Sequence, residues 1–439
     1  MRKLFNAETF KSFSDDQGGQ FVLAFAAIST AALLSVGLAI NYAQMSLAHS
    51  NLVNAVDGAV TSTARDITTG VIDVKDAEDH VRTFLDANVN TPFLDASSVK
   101  IDKIEIDQVA KTVAVSASSN INIAFPMLGA AKQRRISTLT KSLYSDKAIE
   151  VAMMLDVTGS MSGHKIRELK SAAKTAVNTF LGGQRKSNPR IRLAIVPYAD
   201  GVNVGALANS AVHNETGYTT GEPPSTSDPL PASTAPDNCA TERKGQYQYS
   251  DAGPDFAKVN RDYRLAYCPN AVMQPLTADI DKLEANIDSF SARGFTAGHI
   301  GVQWSWYVLS ERWANFLPAE SKPAKFKGGK VAKYAILMTD GQFNTAFADV
   351  PKNDKTRGGQ PNRSRNKAER LCTEMKRDGI EVFTIGFDLN NAQARGVMQK
   401  CASRDHGSVQ HYFEAANGAE LEAAFLKIAA NIERLTLVE

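Results

Sequence analysis

Ile149-Glu-Val-Ala-Met-Met-Leu-Asp156-Val-Thr158-Gly-Ser160-Met-Ser162 decides how the rest of the chain is read. An apolar, strand-like run delivers a carboxylate and two hydroxyls, at spacing two, onto a turn. A helical pattern follows at once, with Ile166, Leu169, Ala173, Val177 and Phe180 on one face and Gly182-Gly183 to stop it. Strand, polar loop, helix is half of a parallel α/β unit, and ligands of such sheets sit beyond the carboxyl ends of strands. Three oxygen donors without His or Cys suit a hard dication such as Mg²⁺.

Working outward, two more polar loops join this one. Gly294-Phe-Thr296-Ala-Gly298-His-Ile-Gly301 precedes an apolar helical stretch, and Ala335-Ile-Leu-Met-Thr339-Asp340-Gly341 ends an apolar run in an acid. Asp156-x-Thr158-x-Ser160, then Thr296, then Asp340 resembles, in order, the metal-ion-dependent adhesion site of the von Willebrand factor A family. Thr158 stands where Ser is usual, keeping the hydroxyl, and Phe295 stands where Gly is common. The resemblance implies a doubly wound, mostly parallel α/β sheet. It further implies that Asp156, Thr158, Ser160, Thr296 and Asp340 hold Mg²⁺ or another divalent cation, some through water, with a partner protein's carboxylate completing the coordination.

The remaining apolar runs fit alternating strands and helices. Strands are expected at Ile191–Val196, Ile380–Gly386 and Val409–Phe413. One helix carries Leu276, Ile280, Leu283, Ile287 and Phe290. The next carries Ile300, Trp304, Val308 and Trp313, whose spacing favours core packing over carbohydrate binding, and Leu421–Leu435 closes the chain. Residues 203–272 are an insertion, with Gly217–Pro236 too rich in Thr, Pro, Ser and Gly to bury a core. Its tyrosines 247, 249, 263 and 267 are expected to pack within it. Lys352, Lys355, Arg357, Arg363, Arg365, Lys367 and Arg370 read as a solvated basic loop and helix start, able to steer an acidic partner.

The chain has 439 residues, 43% hydrophobic and 22% charged, with net charge +2; this balance argues against a nucleic-acid binder. Its four cysteines lack CxxC spacing, suiting two disulfides in an oxidising compartment better than a metal cluster. Three pairings exist. Cys239–Cys268 and Cys372–Cys401 are favoured because each brackets one local segment, and four buried thiols are the alternative.

Phe21–Ile40 runs twenty residues without a charge, enough to cross a bilayer as a helix. Arg2, Lys3 and Lys11 precede it and Arg65 is the next basic residue, which places the N-terminus in the cytoplasm and the bulk outside. A cleaved signal peptide is the alternative, but the apolar core is long and its leader contains acids, so an uncleaved anchor is expected. Ala27, Ala31, Ser35 and Ala39 form a small-residue stripe suited to packing on another membrane helix.

Beyond the anchor, Leu52, Val56, Ala59 and Thr63 continue a helix outward and a second helix is expected near 75–88. Short strands follow at Ile104–Ile106, Val113–Ala117 and Ile121–Ile123, then a return strand from Arg134 to Leu143. The tail ending Asp16-Gln-Gly18-Gly19-Gln, the apolar helix and Leu47-x4-Leu52-x-Asn54-Ala-x-Asp57-Gly-Ala are similar to TadE/TadG-like Flp pilus-assembly proteins. Gly301-Val-Gln-Trp304-Ser-Trp306-Tyr-Val-Leu309-Ser310 also looks like that group. Pseudopilins of that machinery carry Glu five residues after the processed Gly; here that position is Ala24, so processing as a pilin is not expected.

The domains expected are a cytoplasmic tail (1–19), a transmembrane helix (20–43), a TadE/G-like α+β region (44–145) and a von Willebrand factor A-like domain (146–436). The resemblance implies a single-pass protein of the bacterial inner membrane with its bulk in the periplasm. Its role would be a non-enzymatic scaffold binding pilus-assembly or other membrane or periplasmic proteins. An adhesin-like receptor is the first alternative. A metal-assisted hydrolase using Ser160 or Ser162 with His164 is weaker, because no Gly-x-Ser-x-Gly elbow is present.

Overall fold

A computed structural model describes residues 18–89, 91–92, 94, 96–126, 132–184, 189–215, 237–326, 330–348 and 359–438. The N-terminal tail basics, Gly217–Pro236, and Lys352, Lys355 and Arg357 lie outside the described residues. Two compact units emerge. One gathers the chain up to Arg65 with Asp73–Tyr144, and the other gathers Asp66–Ile72 with everything from Ser145 onward.

The first unit is organised by α1 (Gly18–Thr69), a continuous helix of 52 residues. At 1.5 Å per residue it is roughly 78 Å long, and its N-terminal portion is long and apolar enough to cross a membrane. Phe21, Leu23 and Leu33 are each about three-quarters exposed. The hydroxyls of Thr30 and Ser35 donate to the carbonyls of Ala26 and Ala31, four residues back, so neither needs water. Farther along, Leu52, Val56, Ala59 and Val60 are buried. Here Asp57 accepts from the Thr140 hydroxyl at 2.6 Å and Thr63 meets His80 at 3.0 Å.

These contacts join α1 to α2 (Ala77–Asn88) and to the antiparallel sheet β1 (Val99–Asp107), β2 (Thr112–Asn122) and β3 (Gln133–Leu143). Val113–Ala117 and Ile121–Ile123, expected as separate strands, form the single strand β2, which ends at Asn122, one residue short of Ile123. Its intervening Ser118, Ser119 and Asn120 pair with β3 without interruption, because small polar residues still supply every ladder donor and acceptor.

In the second unit β4 (Ala148–Asp156) runs through the middle of a six-stranded sheet. Then come α3 (His164–Leu181), β5 (Ile191–Tyr198) and the insertion, which contributes β6 (Val202–Asn203), α4 (Ala208–Ala211), β7 (Val212–Asn214), β8 (Cys239–Ala240) and β9 (Val259–Arg261). The sheet resumes with β10 (Gln274–Thr277), followed by α5 (Ile280–Asp288), α6 (Gly298–Leu309) and β11 (Val331–Thr339). After these come α7 (Gln360–Arg377), β12 (Ile380–Phe387), α8 (Ala392–Cys401), β13 (Tyr412–Ala415) and α9 (Gly418–Val438). Strand order is β10-β5-β4-β11-β12-β13, with every pairing parallel except β10 against β5. This is the doubly wound, mostly parallel sheet.

Strand alternation fills both faces. Ala152, Met154 and Leu337 pack with Trp304 of α6, Leu371 of α7 and Met398 of α8. Val151, Met153 and Ile336 pack with Val177 of α3, Ile287 of α5 and Phe425 of α9. Trp304, Trp306 and Trp313 are all buried, and Trp313 stacks on Tyr307 at 4.4 Å. They are core.

Several expectations need correction. Leu276 is not on the helix with Ile280. It lies in edge strand β10, because Asp279 caps α5 through the Lys282 amide and starts the helix after it. Trp313 sits in a separate 3₁₀ turn, since α6 stops at Leu309 and the Ser310 side chain caps the next turn. The last strand is Tyr412–Ala415 rather than Val409–Phe413, because Val409 is tied back to His406 in a tight turn.

The insertion builds buried structure of its own: Val204, Cys239 and Val259 join the main core. Cys239 is bonded to Cys268, and Cys372 of α7 to Cys401 of α8. Lys367, expected in a solvated run, is buried against Glu242 of the insertion, and the Arg370 guanidinium lies 3.9 Å from the centre of the Tyr249 ring. A helix start written in basic residues thus becomes the seat of the insertion.

Candidate functional site

Strand order reverses around β4. Its chain successor β5 lies on one side and β11 on the other, so the ends of β4 and β11 flank the switch point where ligands of such sheets collect. Asp156 ends β4 and Asp340 directly follows β11.

Asp156 is fully buried and its carboxylate is heavily engaged. Oδ1 accepts from the Thr158 amide at 2.9 Å and the Thr158 hydroxyl at 2.6 Å. Oδ2 accepts from the Tyr198 and Thr339 hydroxyls, both at 2.8 Å, and faces the Asp340 amide at 3.4 Å. Thr158 Oγ1 lies 3.0 Å from Ser160 Oγ, which donates to Asp340 Oδ1 at 2.5 Å. Asp156, Thr158, Ser160 and Asp340 therefore form one hydrogen-bonded chain.

Backbone links bring the third loop alongside. The Gly159 amide donates to the Gly294 carbonyl at 2.9 Å, and the Arg293 amide to Val157 at 3.0 Å. Thr296 donates its amide to Asn344 Oδ1 at 3.0 Å and accepts from the Asn344 amide at 2.9 Å. Gly341 measures the result: a Cβ placed there would lie 3.4 Å from Ser160 Oγ and 3.8 Å from Thr296 Oγ1. All five oxygen-bearing side chains thus converge at one sheet edge. Gly294 makes this possible, since its φ is +86° and a side chain there would collide with Asp200 and Tyr267.

The electrostatics are those of a site short of positive charge. Burial, and then the charge of Asp156, push the Asp340 carboxyl up to about 6, while Ser160 and Lys165 pull the other way. Burial and Asp156 likewise hold the Tyr198 phenol well above its ordinary value. Asp200, whose carboxylate takes the Phe295 amide, is raised to about 6 by burial. Lys165 Nζ sits 3.1 Å from Asp340 Oδ2 and 2.9 Å from Asp388 Oδ2. The donor set is hydroxyls and carboxylates without nitrogen or sulfur, which fits a hard dication. Asp156, Thr158, Thr296 and Asp340 are buried whereas Ser160 is exposed, so the group opens to solvent on the Ser160 side.

Lys165, Tyr198, Thr339, Asp200 and Asn344 were not singled out in the sequence. Lys165 had a faint signal, being a cation in the first turn of a helix where acids are favoured. Thr339 stood at the end of an apolar strand, and Tyr198 lay beyond the expected Ile191–Val196 strand. Glu242 was invisible: it accepts from the Phe347 and Ala348 amides and pairs with Lys367 and His299, clamping the segment that follows Asp340. Burial alone would raise its carboxyl, but His299 and Lys367 more than offset this and hold it well below the carboxylate range.

The N-terminal segment is the one that matches a family. Residues 19–66 fit the sequence model described as "Putative Flp pilus-assembly TadE/G-like". That is the segment carrying the apolar helix and the Leu52–Asp57 motif. No curated protein matches the chain.

Among solved structures, the von Willebrand factor domain of the type V pili tip protein Mfa5 from Porphyromonas gingivalis is 14% identical; the match covers 66% of this chain and 97% of that one, with TM-score 0.39. The pilus adhesin SpaC from Lactobacillus rhamnosus GG is 12% identical over 77% of this chain and only 34% of its own length, with TM-score 0.38. Proximal thread matrix protein 1 from the mussel byssus, described with a zinc-occupied MIDAS motif, is 13% identical over 65% of this chain and 46% of its own, with TM-score 0.32.

Proposed function

We propose that this chain is a membrane-anchored, non-enzymatic scaffold of a Tad (Flp) type pilus, which grips a partner protein through a Mg²⁺-dependent site. The observation that carries the metal reading is the convergence of Asp156, Thr158, Ser160, Thr296 and Asp340 around Gly341. The Asp156 oxygens already accept from protein donors, so Asp156 acts on the cation mainly through water and charge. Ser160, Thr158 and Thr296 offer direct oxygens, and Asp340 joins them by giving up its bonds from Ser160 and Lys165. Two carboxylates formally balance a dication, but Lys165 already pairs with Asp340, and the shortfall leaves room for a partner's Asp or Glu arriving on the exposed Ser160 side. The Phe295 ring, 59% exposed beside Thr296, adds an apolar contact for that partner.

The TadE/G-like segment supports the pilus-assembly setting, with the N-terminus cytoplasmic, the anchor in the inner membrane and the second unit periplasmic. Two disulfides suit that compartment. His164 opens α3 after the positive-φ Gly163, and among the described residues no hydrogen bond links it to Ser160 or Ser162.

The test is a crosslinked pull-down from intact cells with wild type and Asp156→Ala, each with Mg²⁺ and with chelator. Partners recovered only by wild type with Mg²⁺ support the reading; identical partners in all four samples overturn it. Labelling of the second unit by antibody on intact cells would instead favour an adhesin.

A further inference from the structure

The opposite end of the same sheet carries a group of quite different chemistry. Glu381 is the second residue of β12, His411 immediately precedes β13, and His406 lies in the turn between α8 and β13. These are the entry ends of strands, whereas Asp156 and Asp340 sit at exit ends. Glu381 Oε1 lies 2.6 Å from His411 Nε2 and 3.3 Å from His406 Nε2. The three candidate ligand atoms all fall within 4.8 Å of one another.

We propose that Glu381, His406 and His411 bind Zn²⁺, or a transition dication of similar character, at a site separate from the oxygen-only cluster.

Three features support this. First, two ring nitrogens converge on one carboxylate oxygen, and a tetrahedral ion with bonds near 2.1 Å needs ligand atoms about 3.4 Å apart. The His406 distance already fits, and the His411 distance needs an opening of about 0.8 Å, within reach of one Glu rotamer adjustment. Second, His411 is fully buried and held from all sides. Its ring stacks on Phe383 at 4.6 Å, its amide donates to Asp405 Oδ1 at 2.8 Å, and its carbonyl accepts from the Thr384 amide at 2.8 Å. Third, Asp405 Oδ1 lies 3.4 Å from His411 Nδ1, where a carboxylate behind a ligating imidazole fixes the tautomer that presents Nε2 to a metal.

Both ring nitrogens of His411 face carboxylates, so a metal can take the place of the proton toward Glu381 while Nδ1–H stays on Asp405. Imidazole ligands disfavour Mg²⁺ and Ca²⁺, so the two ends of the sheet sort cations by ligand softness. His406 is more than half exposed, leaving the fourth position open to water. An ion here would pin the turn before β13 to the start of β12.

The experiment uses the full chain in detergent micelles, stripped with chelator, exposed to ZnCl₂ alone, and assayed for retained zinc after gel filtration. To remove any contribution of the oxygen cluster, it is run in the Asp156→Ala background. That protein should retain one zinc more than Asp156→Ala/His406→Ala, and excess Mg²⁺ should not displace it. Asp405→Asn, which keeps an oxygen toward the His411 amide, should weaken binding ~10-fold. Equal zinc in Asp156→Ala and the double variant, or none in either, would overturn the proposal and leave the cluster as a histidine–carboxylate ion pair.

Discussion

Replacing Asp340 by Asn should remove a pH dependence of stability in a defined window. In the folded chain Asp340 keeps its proton up to about pH 6, against an ordinary value of 3.8. Between those values unfolding releases a proton, so rising pH favours the unfolded state. The gap of about two pH units, at 1.36 kcal/mol each, corresponds to roughly 3 kcal/mol of stability present at pH 4 and lost by pH 7. The amide of the Asp340→Asn variant cannot titrate, so the difference in stability between wild type and variant should shift by that amount across the window. All three tryptophans lie in the second unit, so their fluorescence in chelator-containing urea titrations reports the unit that holds the site. Saturating Mg²⁺ should abolish the wild-type loss, because the cation replaces the proton. A difference curve flat from pH 4 to pH 7 would refute the claim that Asp340 is held protonated by burial and by Asp156.

Glu242→Gln should destabilise the second unit by ~3–5 kcal/mol, since it leaves Lys367 buried without its counter-charge; a change under about 1 kcal/mol in tryptophan-detected unfolding would contradict that. Gly298→Ala should cost ~1–3 kcal/mol and weaken Mg²⁺ affinity, because a Cβ there would lie 2.3 Å from the Phe343 ring and push the Thr296 and Asp340 loops apart. Unchanged stability in the melt would show that these loops are less tightly packed. Cys239→Ser/Cys268→Ser should lose ~3 kcal/mol by releasing a 29-residue constraint on the unfolded chain, readable as a lower urea midpoint with a steeper slope.

Much of the site was legible because its donors are punctuated by local pattern. Asp156 and Asp340 end apolar runs, and Thr158 and Ser160 follow at fixed spacing. Thr296 stands in a Gly-flanked loop before a hydrophobic helix. The supporting side chains were not legible for a common reason: their partners are far away in sequence. Tyr198 reaches Asp156 across 42 positions, Thr339 reaches it across 183, and Lys165 reaches Asp340 across 175. Nothing in the vicinity of any of them marks the partner.

Sequence alone determined the long apolar helix, the alternation of strands and helices, and the types of donor at the strand ends. Those depend on periodicities of two and 3.6 and on turn residues, which are local properties of the chain. Tertiary structure decided which ends meet. Parallel pairing of β4 with β11 sets Asp156 beside Asp340, and the Gly159–Gly294 backbone bond places Thr296 alongside them. It also converted Lys367 from a surface charge to a buried one, and assembled Glu381, His406 and His411 from residues that look ordinary in order. Side-chain chemistry acts over a few ångströms, and only packing decides which residues come that close.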